Sequence, residues 1–131
     1  MIHSAEITIR FSDIDAMGHV NNAKYLTYLE YARMKYCDYL LPDINWKEEG
    51  FIFARVELNF IQPILLRDNI VVETECTKIG QKSFNLYCRI IKIDNGKKIE
   101  MANALNVLVG YNYRTQQTIQ LPEEWKKKLL S

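Results

Sequence analysis

Polar and apolar residues alternate from Glu6 to Phe11, with Ile7, Ile9 and Phe11 on one face and Glu6, Thr8 and Arg10 on the other. This period of two predicts a half-buried strand. The loop SDIDAMGHV follows. Beyond it, apolar residues recur at helical spacing at Tyr25, Leu29, Ala32, Tyr36 and Leu40, which predicts an amphipathic helix capped by Asn21 or Asn22 and ending before Pro42. It is the longest element expected, roughly 27 Å at 1.5 Å per residue.

After a polar stretch around Trp46 to Gly50, the period of two returns. Ala54, Val56, Leu58 and Phe60 alternate with Arg55, Glu57, Asn59 and Ile61, and Pro63 ends the run. Further strands are expected at about Asn69 to Lys78 and Ser83 to Ile93. Asp94-Asn95-Gly96-Lys97 carries the Asn-Gly signature of a tight hairpin, so the next strand begins near Lys98. Within it, Val107, Leu108 and Val109 suggest cover on both faces. A last strand segment near Thr118 leads to Pro122 at the start of a short helix.

One strand, one long helix and then about four strands joined by short turns, without helical crossovers, make an α+β fold with a mainly antiparallel sheet. A single helix with a broad apolar face has only that sheet to pack on, so the sheet should curl around it. No repeat or linker divides the chain, and residues 1–131 read as one domain.

Composition narrows the function. At 131 residues with 48% hydrophobic and 25% charged positions, the chain can bury a core without staples and is not disordered. Its 17 basic and 16 acidic residues leave a net charge of +1, too weak a field to suggest nucleic acid. Lys126, Lys127 and Lys128 follow Glu123 and Glu124 in the terminal helix, where acids first and bases last complement the helix dipole. Cys37, Cys76 and Cys88 are odd in number and far apart, which fits reduced core residues better than disulfides or a zinc site. The segment MIHSAEITIR has neither a basic leader nor a continuous apolar stretch, and no run approaches the roughly eighteen apolar residues of a membrane helix. A cytoplasmic protein without membrane attachment is expected.

Several kinds of catalytic machinery are absent. There is no G-x-S-x-G elbow, and only His3 and His19 could serve a Ser-His-Asp triad. Gly80-Gln81-Lys82-Ser83 echoes the end of a phosphate loop, but Glu75 stands where the first glycine belongs. No glycine-rich dinucleotide fingerprint occurs. Functional residue types gather instead at Asp13, Asp15, Gly18, His19, Asn21 and Asn22, directly before the long helix. The first N–H groups of a helix lack internal partners and carry partial positive charge, so they can hold a carbonyl oxygen that becomes an oxyanion. A nearby carboxylate, Asp15, can act as general base on water or as nucleophile on an acyl carbon. Read without context, Asp and Asn before a helix are usually caps and turn formers. A metal set of Asp13, Asp15 and His19 is a weaker alternative.

The run RFSDIDAMGHVNNAKYLTYLEYAR, Arg10 to Arg33, resembles the signature of hotdog-fold thioesterases related to 4-hydroxybenzoyl-coenzyme A thioesterase and bacterial acyl-coenzyme A thioesterases. The D-x-D pair, the G-H-V-N-N turn and the Y-x-x-Y-x-E-x-A-R helix occur in order and at matching spacing. Fainter similarity continues through ARVELNFIQPILLRD, GQKSF and LPEEWKKKL. The resemblance implies a hotdog fold, hydrolysis of acyl-coenzyme A or acyl-carrier-protein thioesters, and no cofactor or metal. It makes Asp15 the catalytic carboxylate and the N–H near Asn22 the group that polarises the carbonyl, with His19 in the constellation. Gly18, Asn21, Tyr25 and Ser83 fall at substrate-binding positions. Where plant acyl-carrier-protein thioesterases have an asparagine and a downstream acid, this chain has Met17 and Ile64, which favours a single-aspartate scheme. Glu30 matches a helix acid of the family, although a Glu three residues before Arg33 also reads as an ion pair. Asp13 reads as a loop-organising acceptor. Arg67 and Lys82 are candidates for the phosphates of coenzyme A or simply solvated strand ends.

The resemblance further implies homodimers that double into tetramers, with each acyl pocket shared between subunits, and a curled sheet has open edges that need such cover. A non-catalytic acyl-coenzyme A binding module and a hotdog dehydratase are the competing functions. The first has no need of Asp15, and the second does not carry this motif.

Overall fold

In a computed structural model describing residues 1–131, the chain runs β1 (His3–Ile7), a 3-10 turn (Phe11–Asp13), α1 (Asn22–Leu40), β2 (Glu49–Phe60), β3 (Ile70–Ile79), β4 (Ser83–Asp94), β5 (Lys97–Asn112), β6 (Gln117–Thr118) and α2 (Glu123–Leu130). The strands form one antiparallel sheet in the order β1-β3-β4-β5-β2, with β6 pairing to β5. Register slips at Phe53/Arg55, Cys76/Lys78 and Ile90/Ile91 are bulges, which sharpen twist and bend a strand. The sheet wraps α1 in the hotdog arrangement.

Asn21 caps α1, its side chain accepting the Ala23 N–H at 2.9 Å. The helix buries the expected stripe of Tyr25, Leu29, Ala32, Tyr36 and Leu40, and with it Tyr28 and Cys37. Its first half packs on Ile70, Val72, Ile90 and Ala104, and its second half on Phe51, Phe84, Leu86 and Leu108. Leu121 and Leu129 close the second cluster. Each fully buried side chain of this kind contributes about 1.5–3 kcal/mol. The backbone of α1 comes closest to β1 and β3, so the helix lies to one side of the sheet and leaves β2 thinly covered.

The hairpin between β4 and β5 turns through Asn95 at φ 51° and Gly96 at φ 78°, the doubly left-handed turn that an Asn-Gly pair adopts most readily. Two expectations need correction. The first strand ends at Ile7, because β1 pairs only with β3 and Ile7 already faces Ile70, the first residue of that partner. Phe11, expected on its apolar face, lies instead in the 3-10 turn and is 83% exposed. The strand expected from Ala54 begins at Glu49, since β5 is long enough to pair with Glu49 through Asn112. The bulge beside Phe53 breaks the alternation there, and Ala54 is exposed. No helix is long and apolar enough to cross a membrane.

Candidate active site

The residues between β1 and α1 fold into a small self-bonded loop. Ile14 and Val20 form a two-residue antiparallel bridge. Inside it, the Asp15 N–H donates to the His19 carbonyl at 2.9 Å and the Gly18 N–H to the Asp15 carbonyl at 3.0 Å. Gly18 has φ +81°, a conformation that side-chain-bearing residues rarely adopt. Two bonds fasten the loop to the molecule: Val20 N–H donates to the Ile64 carbonyl, and Asn21 N–H to the Asp13 carbonyl, each at 2.8 Å.

Asp13 anchors this loop from beneath. Its side chain is buried, and Oδ2 accepts from the Arg10 N–H at 3.0 Å and from the Tyr28 hydroxyl at 2.6 Å. Lys24 Nζ stands 4.0 Å from Oδ1. Burial alone raises the carboxyl pKa, but the Tyr28 and Arg10 hydrogen bonds and the charges of Lys24 and Arg10 outweigh it and hold Asp13 below its ordinary value. Burial, followed by the bond to this carboxylate, pushes the Tyr28 phenol upward.

Asp15 is held differently. It is half-buried, and Oδ1 accepts only the Met17 N–H at 2.9 Å. The other oxygen has no partner within the chain. At the start of α1 the Ala23 N–H is taken by the Asn21 side chain and the Lys24 N–H by the Asn21 carbonyl at 2.9 Å. The Asn22 N–H has no acceptor, so the one unfilled donor among these three amides lies next to the loop that carries an unpaired carboxylate oxygen. That pairing can bind a carbonyl oxygen and present a base or nucleophile to its carbon.

The other candidates are distributed unevenly. His19 is half-buried beside Asp15, and Gly18 and Asn21 are exposed on the same loop. Tyr25 is 2% exposed and meets the edge of Phe60 at 4.9 Å. Ser83 begins β4 opposite Val109, at the end of the sheet remote from the helix start. Glu30 sits on the surface 3.8 Å from Arg33, the ion-pair geometry. Asp13, Asp15 and His19 do not converge into a metal-binding cluster. None of the five principal cavities of the chain is lined by Asp15, His19 or Asn22.

One feature escaped the sequence reading: an apolar groove between α1 and β2, bordered by Arg33, Trp46 and Phe53. Its lining comes from three separate segments, and no spacing in the chain marks it.

Residues 9–129 match the family model described as the thioesterase-like superfamily. The chain is 26% identical over 127 residues to the long-chain acyl-CoA thioesterase FadM of Escherichia coli, covering 95% of this chain and 94% of that protein. It is 24% identical to the chloroplastic acyl-acyl carrier protein thioesterase ATL3 of Arabidopsis thaliana, over 98% of this chain and 67% of the relative. Among solved structures, a thioesterase of Thermus thermophilus complexed with coenzyme A and Zn superposes with a TM-score of 0.82 at 31% identity, covering 98% of this chain and 97% of that one.

Proposed function

Because the chain belongs to the thioesterase-like superfamily, we propose that it hydrolyses acyl-coenzyme A thioesters to the free acid and coenzyme A, with Asp15 as base or nucleophile and the Asn22 N–H polarising the carbonyl. The observation that supports this reading is an Asn22 N–H without an acceptor at the start of α1, directly after a loop in which the half-buried Asp15 carboxylate accepts a single hydrogen bond. As charge builds on the carbonyl oxygen in the tetrahedral transition state, a fixed N–H at a helix start interacts with it more strongly than with the ground state. Asp15 either takes a proton from the attacking water or attacks the acyl carbon to give an anhydride that water then cleaves. In both routes the carbon–sulfur bond breaks and the thiolate of coenzyme A acquires a proton. His19, Gly18 and Asn21 border the reacting group, and no cofactor or metal takes part.

Further walls come from a second copy in this proposal. β2 pairs only with β5, leaving its other edge open, and Phe53, Phe60 and Ile61 are exposed along it. An open edge of this kind favours pairing with another strand. Antiparallel pairing of two β2 strands reverses one copy against the other, so the end bearing Tyr25 and Asp15 meets the end bearing Ser83. Homodimers, and tetramers formed from two of them, acting in the cytoplasm are part of the same proposal.

Free-thiol release from a panel of acyl-coenzyme A thioesters tests it. Turnover that falls by about 10²-fold or more in Asp15→Ala, with an unchanged melting temperature, supports the reading. Saturable binding without turnover would make the protein a binding module. Turnover confined to acyl-carrier-protein thioesters, the substrates in the name of the Arabidopsis relative, would change the carrier and keep the chemistry.

A further inference from the structure

α1 leans toward β1 and β3, so the helix-facing side of β2 is left with a groove of about 240 Å³. Met34 and Cys37 form one wall, Phe51 and Phe53 the other, and Leu108 the base. At the end nearer the helix start, the Arg33 guanidinium lies 4.5 Å over the Phe53 ring. At the far end stands Trp46. Its ring meets the edge of Phe51 at 4.9 Å, and Phe51 is braced edge-on by Phe84 at 5.1 Å. The indole also lies directly on Gly50, where an added Cβ would come within 2.5 Å of it. Trp46 is thus fixed although 45% exposed.

We propose that this groove takes the hydrocarbon of the acyl group and that Trp46 is its stop, the residue that sets how long a chain the protein accepts. The inference rests on the thioesterase reading above. The lining is mainly apolar: Glu30 and Asp38 are exposed at its rim, while the Arg33 guanidinium, with only 17% of its side chain exposed, lies against the Phe53 face, and a lining dominated by hydrocarbon suits an acyl chain. Exposed apolar side chains also lie on the way from the helix start to the groove. Leu26, Glu30, Arg33 and Cys37 share one stripe of α1, and the exposed apolar residues Leu26 and Phe60 lie between the helix start and the groove. Measured along the helix, the groove begins about 12 Å beyond Asn22 and ends about 24 Å beyond it, so a chain laid beside α1 meets Trp46 at its tip.

The experiment measures kcat/KM for saturated acyl-coenzyme A thioesters of increasing length in the wild type, Trp46→Ala, Trp46→Phe and Met34→Trp. Removing the indole is expected to raise the ratio of kcat/KM for longer chains over the wild-type optimum by about tenfold or more, the discrimination that a few methylenes provide. Trp46→Phe should shift the profile the same way by less, and Met34→Trp, which fills the groove from an exposed helix position, should move the optimum to shorter chains. An unchanged profile in folded Trp46→Ala overturns the inference, including the case in which only dimer stability changes because a second copy fills the groove. If Trp46→Ala does not fold, the decision passes to the other two variants, and unchanged profiles in both overturn it. A wild type that cleaves no thioester defeats the functional reading itself. An unchanged profile together with an inactive Asp15→Ala leaves that reading standing and removes only the role of Trp46.

Discussion

The hydroxyl of Tyr28, on the buried face of α1, donates a 2.6 Å hydrogen bond to Oδ2 of Asp13, tying the helix to the loop that carries Asp15. The same oxygen accepts the Arg10 N–H, so a single carboxylate joins the strand exit, the loop and the helix. Tyr28→Phe leaves that buried charge with one fewer donor and is expected to cost about 1–3 kcal/mol of stability in a denaturant melt. Its thioesterase activity should fall less than that of Asp15→Ala, because the reacting groups remain.

Stability should depend on pH through Asp13. Its folded pKa lies below the ordinary value of 3.8, so the folded state favours the carboxylate. The contribution is complete above the ordinary value and disappears as pH falls through the folded one. The difference in melting temperature between wild type and Asp13→Asn should therefore be constant between about pH 7 and pH 5 and shrink on further acidification. A difference that widens in acid would contradict the ion and hydrogen-bond assignment.

Asn22 can be tested through its backbone. It occupies the first position of α1, where proline is well tolerated because the N–H has no helical partner. Asn21, at φ −60° and ψ 138°, already has the extended conformation required before proline. Asn22→Pro should keep the melting temperature while removing the N–H proposed to polarise the carbonyl, lowering kcat by about 10²–10³-fold. A kcat close to that of the wild type would assign the oxyanion to another donor.

The cysteines should differ in reactivity. Burial pushes the Cys37 thiol up to about 12, and burial likewise raises Cys88. Burial raises Cys76 as well, so none of the three forms thiolate readily at neutral pH and access decides the order. Mass spectrometry after iodoacetamide treatment should show half-buried Cys76 modified first, with Cys37 and Cys88 labelled only after unfolding.

The parts of this protein that were legible beforehand are those in which chain neighbours do the physical work. The apolar stripe of α1 buries the residues its spacing marks, Asn21 caps it, and Asn95-Gly96 turns the hairpin. The Asp15 loop was visible for the same reason, since the bonds inside it, from the Ile14–Val20 bridge to the Met17 N–H on Asp15, join near neighbours in the chain, whereas its tie to the Ile64 carbonyl was not. Tertiary structure decided the rest. The end of β1 depended on where β3 begins, the start of β2 on the length of β5, and the fate of Phe11 on both. It also decided that α1 leans away from β2, leaving an apolar groove whose walls come from segments distant in the chain. Such features follow from which surfaces meet, and hydrophobic periodicity records only that a face is buried, never against what.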